Sequence, residues 1–186
     1  LSFAGVANFH TDIGGFTTLA YIKRSKELLL RWVEYAAFNP IMRSHESNRP
    51  ESCVQFNRDG ETLAHFARMT RIYTALKPYH MSLADEYQKT GITPIRHPAL
   101  RYPDDDELHR YRFQYLYGDD LFVAPVYKKG KKRRRLYLPD EKWVHLWTGK
   151  VYGGGDRAVP APLGRPPIFY RRGSEWTGLF ESLRKL

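Results

Sequence analysis

The chain has 186 residues, 42% of them hydrophobic and 15% aromatic, and this composition excludes a disordered segment and indicates a globular fold. Thirty lysines and arginines against twenty acidic residues give a formal net charge of +10, which favours anionic partners such as phosphate, sulfonate, nucleic acid or an acidic neighbouring domain. The single cysteine, Cys53, excludes an internal disulfide, and no apolar run is long enough to span a bilayer, so the cytoplasm is the simplest expected location.

The first polar cluster follows a short apolar lead-in, residues 1–9, which we interpret as a buried strand or a strand edge. His10, Thr11 and Asp12 come next, and Gly14 and Gly15 directly behind them allow a tight turn. A carboxylate in this position is expected at the C-terminal end of a strand.

An amphipathic helix is predicted over residues 23–38, because apolar residues recur there at helical spacing. The predicted apolar face comprises Leu28, Leu29, Trp32, Tyr35 and Ala36, and the charged face comprises Lys23, Arg24, Lys26, Glu27 and Arg31. Pro40 ends the pattern, and a dense polar run follows at residues 43–46. Two polar clusters separated by one helix are what consecutive βα units place on one rim of a barrel.

Two further helices follow a turn-rich loop, residues 49–60, that we expect over the barrel mouth. The first begins near Gly60, with Asp59 or Asn57 as its cap, and keeps helical period up to Pro78. The second covers residues 79–90, and Gly91 is expected to close it in a left-handed conformation.

The remaining chain is predicted to change from helices to strands. Residues 92–95 are interpreted as the last barrel strand, and residues 107–117 as a helix. Short β-prone runs separated by Gly, Pro and charged turns then predict a β-sandwich, and an amphipathic helix with Ser174 as N-cap ends the chain. We therefore place a domain boundary near Gly118, giving an incomplete barrel at residues 1–118 and a sandwich at residues 119–186.

Several motifs resemble the C-terminal part of glycoside hydrolase family 31, and within it most closely the bacterial sulfoquinovosidases. They are DIGGF at 12–16, RSKELLLRW at 24–32, MRSHE at 42–46, GDDLFVAPV at 118–126, WVHLWTG at 143–149 and PIFYRRGSEW at 167–176. The resemblance covers essentially the whole chain and implies an α/β plus all-β architecture, the last units of a (β/α)8 barrel followed by a β-sandwich. It implies a retaining α-glycosidase that needs no cofactor or metal.

The resemblance also implies which residues contact the substrate. His45 matches the family histidine that binds ring hydroxyls, Asp12 matches the aspartate on the floor of the same subsite, and Phe16 matches the aromatic residue that lines it. The family's aspartate nucleophile and aspartate acid lie upstream of these motifs. The chain is therefore expected to be a fragment without catalytic residues, inactive alone and associated with the missing N-terminal part.

Each of these residues also has a structural interpretation. Asp12 could cap the glycine bend as an Asx turn, and His45 could be a satisfied structural histidine. Arg43 and Glu46 are interpreted as an ion pair beside the site. The family resemblance favours a functional role for His45 and Asp12.

The substrate is expected to be an α-sulfoquinovoside, because the RSKE run at 24–27 resembles the sulfoquinovosidase branch. Sulfoquinovosidases look like DIGGY at the glycine turn, where the tyrosine hydroxyl helps to hold the sulfonate. This chain has Phe16, as ordinary α-glucosidases do. An α-glucosidase or α-xylosidase acting on unsulfonated glycosides therefore stays the alternative, and a homo-oligomer is left open.

A basic run at residues 128–135 suggests a third hypothesis, a basic binding module without enzymatic activity. The position of this run between two predicted strands favours a solvated hairpin loop. The run also contains no interleaved aromatic residues of the kind that stack on single-stranded nucleic acid. We interpret Asp119 and Asp120 after Gly118 as a structural turn and not as a metal site, and the glycines at 153–155 as a hairpin loop.

Overall fold

A parallel pair of short strands with a helix between them forms the first part of the structure, a computed structural model that describes residues 2–19 and 21–186. Strand β1 (Asp12–Ile13) is followed by α1 (Lys26–Ala36) and β2 (Arg43–Ser44). Asp12 pairs with Arg43, and Ile13 pairs with Ser44. This strand, helix and parallel strand are the repeating unit of an α/β barrel, as the spacing of the two polar clusters predicts.

Helix α1 is shorter than predicted, and its buried face is different. Ser25 caps it by accepting a hydrogen bond from the Leu28 amide at 3.2 Å. Leu28, predicted in the apolar face, is 41% exposed, whereas Arg31 and Glu34 are buried. The assignment of Arg31 to the solvent face was wrong because its guanidinium bonds to Glu34 and to carbonyls far away in the sequence, as described below.

Helices α2 (Gly60–Ala75) and α3 (Lys77–Thr90) confirm the two predicted helices, the start near Gly60 and the end at Thr90, but the break between them lies at Leu76 and not at Pro78. The Asp59 carboxylate accepts from the Thr62 amide at 2.8 Å and so caps α2. Pro78 lies in the first turn of α3, where a missing amide hydrogen costs nothing. Gly91 closes α3 with φ of 74°, the left-handed conformation expected there.

The second half of the described chain forms a six-stranded antiparallel sheet and a two-stranded sheet. The strand order is β3-β4-β5-β10-β7-β8 in the first sheet and β6-β9 in the second. The strands are β3 (Ile95–Arg96), β4 (Tyr115–Tyr117), β5 (Leu121–Val123), β6 (Arg133–Leu138), β7 (Trp143–His145), β8 (Val151–Tyr152), β9 (Gly155–Pro160) and β10 (Ile168–Arg171). The glycines at 153–155 connect the two sheets, so the hairpin predicted there was wrong.

Two predictions around the domain boundary are corrected by this sheet. The barrel strand predicted at residues 92–95 was wrong: the strand in this region, β3, covers only Ile95–Arg96 and pairs antiparallel with β4. The predicted helix over residues 107–117 is a 3-10 turn, Asp106–Arg110, followed by β4, because pairing with strands on both sides outweighs the local helical spacing. Gly118 lies in the turn between β4 and β5, so we propose the boundary near Gly91 instead.

Alternating side chains on the six-stranded sheet fill two separate cores. Phe122 and Phe169 face the two-stranded sheet and pack with Leu136, Leu138 and Trp143, which forms the sandwich expected from the sequence. The next residues along the same strands face the helices of the first half; they include Leu121, Val123, Ile168 and Tyr170. One sheet therefore joins the sandwich to the helical layer that carries the strands β1 and β2.

The C-terminal helix packs on the helical side of that sheet. Helix α4 (Thr177–Ser182) has Trp176 at its N-cap, so the prediction of Ser174 as N-cap was wrong. The Ser174 hydroxyl instead accepts from the Trp176 amide at 3.1 Å, in the turn before the helix. Phe180 and Leu183 are fully buried in the same core as α1 and α3. In the described ranges no helix combines the length and the apolar character needed to cross a membrane.

Candidate functional site

The ends of β1 and β2 bring Phe16 and His45 together. The glycine turn after β1 carries Phe16, and the chain leaving β2 carries His45. Their rings meet edge to face, with centroids 4.8 Å apart and an interplanar angle of 77°. Phe16 is 53% exposed, so one side of this aromatic pair stays open. An exposed ring beside a histidine is a surface on which the apolar face of a sugar ring can lie.

His45 has one ring nitrogen occupied and one free. The Ser47 amide donates to His45 Nδ1 at 2.9 Å, so Nδ1 is the acceptor in this arrangement. In the neutral ring the other nitrogen, Nε2, then carries the hydrogen. Among the described residues Nε2 has no hydrogen-bond partner, which leaves a directed donor beside Phe16. The interpretation of His45 as a fully satisfied structural histidine does not fit this geometry.

Asp12 does not use its side chain to close the glycine bend. The bend is closed by a backbone hydrogen bond, from the Gly15 amide to the Asp12 carbonyl at 2.8 Å. The carboxylate atom Oδ1 is buried and has no hydrogen-bond partner within residues 2–19 and 21–186. The Asx-turn interpretation is therefore not what the structure shows, and a buried acceptor without a partner is a feature that a bound ligand can satisfy.

The ion pair predicted between Arg43 and Glu46 is wrong. Arg43 instead lies across the two strands from Asp12, with Arg43 Nε 3.7 Å from Asp12 Oδ1. This separation is an ion pair but is too long for a hydrogen bond. Arg43 pairs with Asp12 because the two residues occupy the same register position of the parallel strands. Arg43 is 57% exposed and adds positive charge next to the carboxylate.

Arg24 fastens the two loops to each other. Its guanidinium donates to the carbonyls of Gly14 at 3.0 Å, Gly15 at 2.7 Å and His45 at 2.7 Å. Burial lowers the pKa of Arg24 from its ordinary value. A side chain at Gly14, where φ is 84°, would overlap the Arg24 guanidinium, so both the backbone conformation and the packing require glycine at this position.

A second set of contacts joins the same two loops, at Phe16 itself and at residues that follow Phe16 and His45 in the chain. The Asn48 amide donates to the Phe16 carbonyl at 3.1 Å, and the Thr18 amide donates to Asn48 Oδ1 at 2.7 Å. Together with Arg24, these bonds make the two loops one structural unit. The positions of Phe16 and His45 are therefore set largely by contacts that lie within this chain.

Two residues of this site, Arg24 and Ser47, were not assigned by sequence reasoning. Arg24 was expected on the exposed face of a helix, and Ser47 was not considered. His10, two residues before Asp12 on the same run, has a buried Nδ1 without a hydrogen-bond partner among the described residues. The polar run of His10, Thr11 and Asp12 before the glycine turn is the sequence signal that could have identified His10.

The remaining polar motifs have structural roles. Asp119 pairs with Arg96 and Arg101, and Asp120 pairs with Arg171 at 2.7 Å, which confirms the turn interpretation. In the basic run, residues 133–135 belong to β6, so only its first part is a loop. Arg133, Arg134 and Arg135 bond to the Ala158 carbonyl, the Pro125 and Phe113 carbonyls, and the Asp156 carboxylate, respectively.

Two family models match the chain in sequence. The glycosyl hydrolases family 31 TIM-barrel domain matches residues 1–83, and the glycosyl hydrolase family 31 C-terminal domain matches residues 91–174. The chain belongs to glycoside hydrolase family 31. The break between the two family 31 models falls just before Gly91, where α3 ends and the chain approaches the six-stranded sheet.

Relatives within family 31 extend this similarity to the whole chain. A sulfoquinovosidase from Escherichia coli strain K12 is 50% identical over 186 residues, which is 100% of this chain and 27% of that protein. The solved structure of a family 31 sulfoquinovosidase from E. rectale with an aza-sugar inhibitor superposes with a TM-score of 0.96 and 42% identity, over 99% of this chain and 28% of that one. Alpha-glucosidase 2 from Bacillus thermoamyloliquefaciens is 32% identical over 184 residues, 94% of this chain and 22% of that protein.

The chain thus spans between 22% and 28% of the length of these family 31 relatives.

Proposed function

We propose that this chain is part of a longer family 31 glycoside hydrolase that cleaves α-sulfoquinovosides. The observation that carries the proposal is the arrangement at the ends of β1 and β2, where an exposed aromatic ring, an imidazole donor and a carboxylate acceptor meet on one rim. A polyhydroxylated ring needs an apolar surface for its face and directed polar groups for its hydroxyls. Phe16 supplies the first, and His45 and Asp12 supply the second.

In the proposed mechanism these residues bind and orient the sugar ring. His45 Nε2–H donates to a ring hydroxyl, and the Asp12 carboxylate accepts from another. The hydrogen bond that the Asp12 carboxylate accepts strengthens as positive charge develops on the ring in the oxocarbenium-like transition state, and the His45 donor orients the ring. Because Arg24 holds both loops, the groups are arranged before the substrate arrives, and little binding energy is lost in ordering them.

The covalent chemistry is assigned to residues outside this sequence. The family resemblance implies that two aspartates upstream of DIGGF act as nucleophile and as acid and base. A retaining glycosidase needs two carboxyl groups about 5–5.5 Å apart, one to attack the anomeric carbon and one to protonate the leaving oxygen. The role proposed for this chain is to hold the ring in position between them.

The sulfonated substrate is supported by the identity of 50% to a sulfoquinovosidase, against 32% to an α-glucosidase. Phe16 supports the alternative, an unsulfonated α-glucoside, because its ring offers no hydroxyl to a sulfonate. The third hypothesis, a basic binding module, is weakened because Arg133, Arg134 and Arg135 have partners within the chain.

Replacing Phe16 by tyrosine is expected to increase the preference of the full-length protein for the sulfonated substrate. A hydrogen bond to a charged group contributes roughly 1.5–3 kcal/mol, so kcat/KM for an α-sulfoquinovoside should rise by about tenfold or more relative to the matching α-glucoside. The measurement compares hydrolysis of both substrates by the native protein and by Phe16→Tyr.

Phe113→Tyr is the matched control, because Phe113 is also exposed, at 55%, and lies in the other half of the chain. It should leave the ratio of the two substrates unchanged. If the glucoside is preferred by the native protein and by Phe16→Tyr alike, the sulfoquinovoside proposal fails and the α-glucosidase alternative takes its place.

A further inference from the structure

Ser47 has an unusual backbone conformation two residues after His45. Its φ is 83°, and among residues 2–19 and 21–186 no other residue except glycine has a positive φ. This left-handed region is disfavoured for a residue with a β-carbon, and such residues concentrate where a functional geometry is held by the surrounding structure. The observation raises the question of what holds Ser47 there and what its conformation achieves.

A buried polar cluster holds the Ser47 side chain. Its hydroxyl lies 2.5 Å from Thr18 Oγ1, and the Cys53 thiol lies 2.9 Å from the same Thr18 oxygen. The Ser47 hydroxyl also accepts from the Arg49 amide at 3.4 Å. Ser47 is 7% exposed and Thr18 is 4% exposed, so water does not compete for these bonds. Thr18 comes from the loop after β1, and Cys53 from the turn that follows β2.

The conformation turns the Ser47 amide back onto the histidine ring. This amide donates to His45 Nδ1 at 2.9 Å. Arg24 also acts on His45, but it contacts the backbone carbonyl and leaves the ring free to rotate. Within the described residues the Ser47 amide is the one hydrogen-bond partner of the imidazole. The ring orientation and the nitrogen that carries the hydrogen are therefore set by residue 47.

We propose that Ser47 is a positioning residue that fixes His45 in the tautomer with the hydrogen on Nε2 and points that hydrogen at the substrate. The inference rests on the proposed function in one respect, that His45 donates to a sugar hydroxyl. The tautomer itself depends only on the geometry of residues 45 and 47. The cluster of Thr18, Ser47 and Cys53 keeps the left-handed conformation in place between the two loops.

Two substitutions at Ser47 separate its conformation from its hydroxyl. Ser47→Ala removes the hydroxyl and keeps a β-carbon that opposes a positive φ, so the amide should leave the ring. Ser47→Gly also removes the hydroxyl, but glycine adopts a positive φ readily and can keep the amide on Nδ1. Both are made in the full-length protein, with melting temperatures recorded to confirm that each variant folds.

The readouts are the tautomer and the kinetic constants. In protein labelled with 15N-histidine, the His45 ring signals, assigned by their loss in His45→Asn, report which nitrogen carries the hydrogen in the neutral ring. We expect Ser47→Ala to mix the two tautomers and to lower kcat/KM by about tenfold, the factor for one hydrogen bond, and Ser47→Gly to keep the native tautomer and kcat/KM within about twofold.

An unchanged tautomer in a folded Ser47→Ala variant would overturn the proposal, and so would a glycine variant that behaves like the alanine variant. If the native protein hydrolyses neither glycoside, the proposed function fails by itself. The 15N spectra still decide whether residue 47 sets the tautomer of His45.

Discussion

His45→Ala is expected to lower kcat/KM of the full-length protein for its α-glycoside by about 100-fold, the effect of misplacing the reacting ring by about 1 Å when a group that orients it is lost. The loss should appear in kcat as well as in KM, because binding to non-reacting parts of the substrate is used to orient the ring for reaction. Steady-state kinetics of the purified variant measure this directly. A truncated side chain leaves the loop intact, since Arg24 binds the His45 carbonyl and not its ring.

His109→Ala provides a matched control for this experiment. His109 is exposed, and its ring stacks on His97 at 5.5 Å in the 3-10 segment of the second half. Its replacement should change kcat/KM by less than about twofold, in line with an exposed residue away from the site. A His45→Ala variant that retains native kcat/KM would show that the imidazole does not contact the substrate.

Arg31→Met is expected to destabilise the folded protein by about 3–5 kcal/mol, the range for removing one partner of a buried ion pair. Arg31 is 8% exposed and Glu34 is 1% exposed, and their charged atoms are 3.0 Å apart. Burial raises the pKa of Glu34, and the nearby Arg31 opposes that rise. Without Arg31, the buried Glu34 carboxyl group lacks its principal counter-charge, and water does not reach it to take the place of that charge.

The same arginine also connects the two halves of the chain. It donates to the carbonyls of Ala161 at 2.8 Å and Lys131 at 3.1 Å, and Glu34 accepts from the Gly164 amide at 2.5 Å. Both partners thus join α1 to the loops at the ends of β6 and β9. Loss of Arg31 should therefore destabilise the contact between the helical layer and the sandwich as well as α1 itself.

Urea denaturation of the full-length protein measures the effect. Lys26→Met is the control on the same helix, because the Lys26 ammonium forms salt bridges with Asp59 and Glu61 at the surface. Surface salt bridges of this kind contribute little to the free energy of unfolding. Lys26→Met should therefore unfold at nearly the same urea concentration as the native protein. An Arg31→Met variant as stable as the control would contradict the role given to the buried pair.

Local signals predicted the helices better than the sheet. Gly91 was predicted correctly as the residue that closes α3, and Asp59 was one of the two caps predicted for α2. The residues of β4 were assigned to a helix because Tyr111 and Tyr115 have helical spacing. Their strand conformation depends on pairing with β3, about twenty residues earlier, and with β5. Sequence spacing does not reveal such partners.

The same limit applies to the buried charges. Nothing near Arg31 in the sequence indicates that the carbonyl of Ala161, 130 residues away, accepts from it. A periodic pattern therefore placed Arg31 on the solvent face. Leu28 was placed in the core for the converse reason, since its spacing fits the apolar stripe while the structure leaves it 41% exposed.

In the candidate site, the family resemblance predicts the residues, and the structure adds their relation to each other. Phe16 and His45 were named from motifs 29 positions apart, and their rings are in contact. Arg24 and Ser47 were missed because they act through backbone atoms: one binds carbonyls and the other offers its amide. Side-chain motifs carry little information about such roles.

The central claim is that Asp12, Phe16 and His45 line the sugar-binding subsite of the longer protein. A crystal structure of the full-length protein with a bound aza-sugar inhibitor tests it most directly. We expect the inhibitor ring to lie against Phe16, with one hydroxyl within hydrogen-bond distance of His45 Nε2 and another at the Asp12 carboxylate. An inhibitor bound elsewhere, with none of these three residues in contact, would contradict the account.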